Sequence, residues 1–296
     1  MRIVITGANG QLGRALQAAH AAMQAVVPCG TQERLFSQEG FRKGEIIPVD
    51  LPEWDITDPQ QVSRLAGLKP HLVVHCAAMT DVDGCARDPD VAFRVNAFGT
   101  QNVALACQRC DAALVYVSTN EVFDGTASRP YIEFDAAHPI NPYGASKLAG
   151  ETMAAMLLHK LYVVRISWLF APRGNHFVTK ILARADRQGW LSVVTDEVAN
   201  PTYAPDLAAA IWRLAATSHY GIYHLINEGH CSRYEYALEI LSLSGRGHIP
   251  VRPITGDQFQ RVSTPPAFAP LRNTVGAALG VRLRAWQEAL KDYFRE

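Results

Sequence analysis

Arg2-Ile3-Val4-Ile5-Thr6-Gly7-Ala8-Asn9-Gly10-Gln11-Leu12-Gly13 runs from an apolar strand through a glycine turn and straight into a helical stretch. Glycines let a backbone turn tightly and approach a pyrophosphate, and the helix that follows offers its N-terminal N–H groups and positive dipole end to phosphates. The spacing is G-x-x-G-x-x-G, not the G-x-G-x-x-G of the common dinucleotide fingerprint, so placement between strand and helix carries the reading. A nucleotide site at the start of an α/β fold is expected.

Outward from this turn, short apolar runs alternate with helical stretches through the first 170 residues. Strands are expected at Ile3–Thr6, Ala25–Cys29, Ile46–Val49, Leu72–His75, Leu114–Ser118 and Val163–Ser167, and helices at Arg14–Met23, Pro89–Arg109 and Gly144–Leu158. The runs are nearly continuous in Val, Ile and Leu, which marks strands buried on both faces of a parallel sheet. The fold class is therefore α/β, a Rossmann-type doubly wound parallel sheet. Beyond residue 170 the rhythm loosens, with helices at Asn175–Gln188, Pro205–Thr217, Ser232–Leu243 and Leu283–Phe294 and a Pro- and Thr-rich stretch from Pro250 to Pro270. Residues 1–169 then form a cofactor domain that carries the catalytic residues. Residues 170–296 form a smaller, irregular α/β substrate domain, with room for segments returning to the first.

The 296 residues carry 28 Lys and Arg against 28 Asp and Glu. Zero net charge, with cations scattered, argues against nucleic acid or an anionic membrane as partner. The longest uncharged stretch, Ala15–Gln32, contains Gln17, His20, Gln24, Pro28 and Gly30 and does not read as a membrane span. Six cysteines without a basic-then-apolar leader suggest a reducing cytoplasm, and the Cys107-Gln108-Arg109-Cys110 spacing reads as two thiols packed in a helix. The histidines show no ligand spacing, so no metal is expected.

Two further motifs carry chemistry. In Tyr143-Gly144-Ala145-Ser146-Lys147 the phenol and ammonium lie at i and i+4, one turn apart on one helix face. The ammonium can pull the phenol's pKa downward and hold a ribose hydroxyl, while the phenol gives a proton to a carbonyl receiving hydride. Val117-Ser118-Thr119 ends a strand, at the edge where open α/β sheets bind ligands, so the Thr119 hydroxyl can reach the same carbonyl.

Together these motifs resemble the extended short-chain dehydrogenase/reductase family, in its sugar-nucleotide reductase branch. The resemblance spans nearly the whole chain and also includes Asp55-Ile56-Thr57-Asp58, Cys76–Asp83, Val95-Asn96-Ala97, Arg165-Ile166-Ser167-Trp168 and Asn200-Pro201-Thr202. It implies reduction of the 4-keto group of a nucleotide-linked 4-keto-6-deoxy sugar by NADPH or NADH. Gly7, Gly10, Gln11 and Leu12 would wrap the cofactor pyrophosphate, Asp55 and Ile56 would meet the adenine, and Ala77, Ala78 and Met79 would run towards the nicotinamide. Thr119, Tyr143 and Lys147 would be catalytic, Tyr143 and Lys147 touching the cofactor as well. Thr80, Thr119, Asn120, Glu121 and Trp168 would face the substrate, and Asn96 would support the site. A homodimer is left open.

Departures concern the substrate. Asn120-Glu121 stands where the family has Asp-Tyr, and Thr264–Asn273 lacks the arginine expected near the nucleotide diphosphate, leaving Arg261 or Arg272 as substitutes. No acidic residue follows the Ala25–Cys29 strand, and Arg34 nearby leans towards NADPH. An epimerase or dehydratase on the same fold, a reductase of GDP-linked sugars and a non-catalytic nucleotide-binding subunit are the alternatives.

Overall fold

A computed structural model describes residues 1–25 and 43–295. The elements of the first half are β1 (Arg2–Thr6), α1 (Gln11–Ala25), β2 (Glu45–Val49), α2 (Pro59–Gly67), β3 (Leu72–His75), α3 (Val82–Arg87), α4 (Pro89–Phe93), α5 (Gly99–Arg109), β4 (Ala113–Thr119), α6 (Pro142–Leu157) and β5 (Leu161–Ile166). The second half adds β6 (Leu169–Phe170), α7 (Phe177–Gln188), β7 (Leu191–Val194), β8 (Val198–Ala199), β9 (Thr202–Tyr203), α8 (Ala204–Ala215), β10 (Gly221–His224), β11 (Cys231–Ser232), α9 (Arg233–Leu243), β12 (Val251–Ile254), α10 (Val275–Ala278) and α11 (Trp286–Tyr293).

The main sheet is six-stranded and parallel, in the order β10-β5-β4-β3-β1-β2. Alternate residues of each strand serve opposite cores, which is why both sets are apolar. Ile3, Ile5, Val74 and Val164 meet Leu16 of α1 and Leu207, Ile211 and Trp212 of α8 on one face. Val4, Val73, Leu114 and Tyr116 meet Val62 and Leu65 of α2, Val103 of α5 and Ala154 of α6 on the other. Chain order reverses around β1, between β2 and β3, so the carboxyl ends of β1 and β3 open the crevice in which such sheets bind ligands.

Local chemistry fixes the ends that matter. The Asn141 side chain accepts from the Gly144 N–H at 2.8 Å and Pro142 occupies the first turn, so α6 starts immediately before Tyr143. Ser232 and Glu235 form a reciprocal capping box that starts α9 at Arg233. Pro89–Arg109 is interrupted by a π turn, Arg94–Phe98, which turns Asn96 inward.

The expected Ala25–Cys29 strand and Arg34 fall outside the described residues, except that Ala25 closes α1. The strand found beside β1 is Glu45–Val49, and it runs into Asp50. The edge strand β10 escaped the periodicity argument because four residues beginning with glycine, with Gly221 and Ile222 exposed, leave no apolar run. Within the Pro- and Thr-rich stretch, Val251–Ile254 pairs in parallel with β7. A separate core of Phe170, Val178, Ile181, Tyr236, Ile240 and Trp286 gathers α7, α9 and α11.

Candidate active site

A cleft of about 800 Å³ opens along the carboxyl ends of the sheet strands. Fifteen of the sixteen residues expected at the cofactor and substrate line it, and Met79 does not. The Met79 backbone is instead clamped: its N–H donates to Asn96 Oδ1 at 2.8 Å and its carbonyl accepts from Asn96 Nδ2 at 3.0 Å. Asn96 Nδ2 also lies 3.0 Å from Ser146 Oγ on α6. Asn96 thus holds the Ala77–Thr80 segment against the helix of Tyr143 and Lys147.

At one end the glycine turn meets α1. Gly7 has φ +65°, and a Cβ there would lie 2.7 Å from the Ala77 backbone nitrogen, so only glycine allows the turn to close on that segment. The first-turn N–H groups of an α-helix have no intrahelical acceptor, and here the first-turn residues Gln11, Leu12 and Gly13 line the cleft, the buried Oε1 of Gln11 having no hydrogen-bond partner. These features fit the pyrophosphate of a dinucleotide. Asp50 also lines the cleft, accepting from the Asn9 N–H at 2.7 Å. An acidic side chain therefore follows the strand found beside β1; the expected Ala25–Cys29 strand, after which none was noted, lies outside the described residues apart from Ala25. The Asp55 carboxylate is turned onto Thr57, accepting from its N–H and hydroxyl, each at 2.8 Å.

In the middle sit Thr119, Tyr143 and Lys147. Thr119 ends β4 and caps the short turn Asn120–Val122, its hydroxyl accepting from the Glu121 N–H at 3.2 Å. Burial first, then the Glu121 carboxylate, push the Tyr143 phenol above its ordinary value, while hydrogen bonding with Thr119 acts in the opposite direction. The expected downward pull by Lys147 is not what dominates; the phenol is held protonated, as a proton donor must be. Burial lowers Lys147 to about 7, opposed by the negative charge of Glu151. Its Nζ lies 4.2 Å from the centre of the Tyr116 ring, whose hydroxyl donates to the Lys147 carbonyl at 3.1 Å.

Beneath this group, Glu151 forms a buried bidentate pair with Arg165 at 2.9 and 2.6 Å and accepts from Ser118 Oγ at 2.5 Å. His75, beneath the 76–80 segment, lies 2.6 Å from Thr6 Oγ1 and 3.2 Å from Thr100 Oγ1, and burial lowers it to about 3. It is a hydrogen-bonded core histidine. Cys107 is buried among apolar side chains and burial raises its thiol, in keeping with a packed helix position.

At the far end, Asn120 donates to the Ala269 carbonyl at 3.2 Å, and Glu121 accepts from Asn141 Nδ2 at 2.7 Å. Burial raises the Glu121 carboxyl. Trp168 has φ +38°, a conformation that costs a non-glycine residue about 1–3 kcal/mol and gathers at functional sites. Neither Arg261 nor Arg272 lines the cleft; Arg261 pairs with Glu197. The cation found there is Arg233, which the sequence reading missed. Its only signal was a position inside a capping box, where an arginine passes as an ordinary first-turn residue.

A doubly wound sheet with a phosphate turn at β1 and a Thr–Tyr–Lys group at the ends of β4 and α6 defines the extended short-chain dehydrogenase/reductase class. Within it, the chain belongs to the family described as RmlD substrate binding domain, whose family model matches residues 1–296. It is 33% identical over 296 residues to a spore coat polysaccharide biosynthesis protein of Bacillus subtilis, covering 100% of this chain and 97% of that protein. It is 36% identical to dTDP-4-dehydrorhamnose reductase of Mycobacterium tuberculosis, covering 98% and 91%. The crystal structure of dTDP-4-dehydrorhamnose reductase from Bacillus anthracis in complex with NADP superposes with TM-score 0.89 at 36% identity, covering 99% and 98%. Among the described residues no helix is long and apolar enough to cross a membrane.

Proposed function

We propose that this chain reduces the 4-keto group of a nucleotide-linked 4-keto-6-deoxy sugar, dTDP-4-dehydrorhamnose to dTDP-L-rhamnose, with NADPH as reductant. The observation that carries the reading is the convergence of Thr119, Tyr143 and Lys147 on one cleft, with the phenol and the ammonium one helical turn apart on α6. The relatives named as dTDP-4-dehydrorhamnose reductase support the substrate, and the NADP complex supports the cofactor.

In this reading Gly7, Gly10, Gln11 and Leu12 hold the pyrophosphate, Asp55 and Ile56 border the adenine, and Ala77 and Ala78 border the nicotinamide half. Bound NADPH supplies the hydride that adds to the substrate's C4. Tyr143 gives its phenolic proton to the carbonyl oxygen as the alkoxide develops, and the Thr119 hydroxyl hydrogen-bonds that same oxygen. Lys147 holds the ribose and offsets the charge left on Tyr143. Thr80, Asn120, Glu121 and Trp168 border the sugar. Asp50 stands where a carboxylate receives a ribose 2′-hydroxyl, which favours acceptance of NADH as well. The domain division at residues 169 and 170, a cytoplasmic location and a homodimer are proposed on the resemblance, and sedimentation of the purified chain tests the last.

Oxidation of NADPH in stoichiometric step with dTDP-4-dehydrorhamnose tests the reading, because an epimerase or dehydratase regenerates its cofactor and consumes none. Tyr143→Phe should lower kcat by about 10²–10⁴-fold with the NADPH KM little changed, as expected for loss of a proton donor. Turnover of Tyr143→Phe at the parent rate would remove the mechanism.

A further inference from the structure

Arg233 is the arginine of the cleft whose guanidinium lies over aromatic rings while its ion pair is long. Its guanidinium carbon lies 3.6 Å from the centre of the Trp168 ring and 4.7 Å from that of Phe177, over the faces of both aromatic side chains. The side chain is 22% exposed, and its ion pair, with Glu197, is long at 3.8 Å. The other Glu197 oxygen is taken more closely by Arg261. Among the described residues no side-chain hydrogen bond from Arg233 is formed, although a guanidinium carries five N–H donors in a fixed fork. A half-buried cation held over aromatic faces, with its donors open to a cleft, is preorganised for a planar or tetrahedral anion.

Which anion follows from the division of the cleft. The phosphate turn and α1 lie at the cofactor end, and Lys147 is committed to the catalytic group. Lys180, the other lysine of the cleft, is exposed on α7, and Arg94 is exposed at the start of the π turn. A sugar nucleotide brings a second diphosphate, which needs its own cation on the Trp168 side. We propose that Arg233 anchors the diphosphate of the sugar nucleotide, held in place over the rings of Trp168 and Phe177, in the role that Arg261 and Arg272 do not fill. The inference rests on the proposed reductase reading for the identity of the substrate, but the anchor itself is a property of the cleft.

The test uses Arg233→Met, which keeps a long side chain against the two rings and removes the charge, and Arg233→Lys, which keeps the charge but loses the planar fork. Calorimetric titration of the full-length, NADPH-loaded chain with dTDP should show Kd raised on the order of 10- to 100-fold in Arg233→Met. KM for the keto sugar should rise in the same proportion, with kcat within a few fold, and Arg233→Lys should fall between the two. The melting temperature and NADPH affinity should stay at parental values. Unchanged dTDP affinity in a folded Arg233→Met overturns the proposal, and so does a loss confined to NADPH. Titration with UDP, GDP and ADP separates this failure from failure of the reductase reading. If the parent does not reduce the dTDP sugar but binds another nucleoside diphosphate, Arg233→Met must weaken that ligand instead, and binding of none overturns the anchor.

Discussion

Lys147 shows how a single residue's environment sets the working range of the site. A lysine ordinarily titrates near 10.4, and burial brings this one to about 7. Below that pH it is an ammonium, able to hold a ribose hydroxyl and offset the phenolate; above it the charge is lost. The folded chain then binds fewer protons at this group than the unfolded chain between about 7 and 10.4. Its contribution to stability therefore rises with pH across that window, while its contribution to cofactor binding falls. The Tyr143 phenol is pushed upward and does not titrate in the same range. We expect kcat/KM for NADPH to decline as pH rises through about 7, and Lys147→Arg, whose charge does not titrate, to lose this decline whatever its absolute rate. A profile of the parent chain that is flat from pH 6 to 9 contradicts the assignment. The type and spacing of Tyr143 and Lys147 were legible in the sequence. The direction of the phenol's shift was not, because it depends on Glu121 and on burial by segments distant along the chain.

The helix α6 carries the same lesson at the scale of an element. A glycine inside a helix ordinarily costs about 0.5–1 kcal/mol relative to alanine. Packing reverses that sign. A Cβ on Gly144 would lie 2.0 Å from the Glu121 carbonyl oxygen, and one on Gly150 would lie 2.6 Å from the Asn96 carbonyl oxygen. Both contacts are with backbone, which cannot rotate away. Gly144→Ala should force α6 off the turn that carries Thr119 and Glu121, destabilising the protein by about 1–3 kcal/mol as overpacking does. The shift in geometry should cost on the order of 10²-fold in kcat. Gly67→Ala at the end of α2, where a Cβ meets nothing within 4 Å, serves as the control and should be neutral or stabilising. Urea unfolding of the two variants decides between propensity and packing, since propensity alone predicts gains at both. Helix α6 was found by its pattern, but the need for glycine at these positions is written in Glu121 and Asn96.

For the whole molecule, the division of labour read from the sequence meets a chain that crosses back. Helix α8 and strand β10 lie after residue 170, yet both belong to the main sheet: β10 pairs with β5, and α8 packs Leu207, Ile211 and Trp212 against α1 and the strands. Trp212 also donates its indole N–H to the Leu16 carbonyl at 3.0 Å. Late residues Val281 and Leu283 join the same core. Periodicity shows that such segments are helix or strand; it carries no address, and only the apolar demand of the sheet face tells where they dock. A fragment ending at residue 169 would therefore leave one face of the sheet uncovered around Ile3, Ile5, Leu16 and Val164, each side chain worth about 1.5–3 kcal/mol when buried. That loss is comparable to the whole stability of a typical domain, about 5–15 kcal/mol. The fragment 1–169 should fail to fold, and the full chain should unfold with one calorimetric transition that NADPH moves upward as a unit. A fragment with cooperative melting and nucleotide affinity near that of the parent would mean that the two halves are independent and that the crossing of α8 and β10 adds little to the sheet.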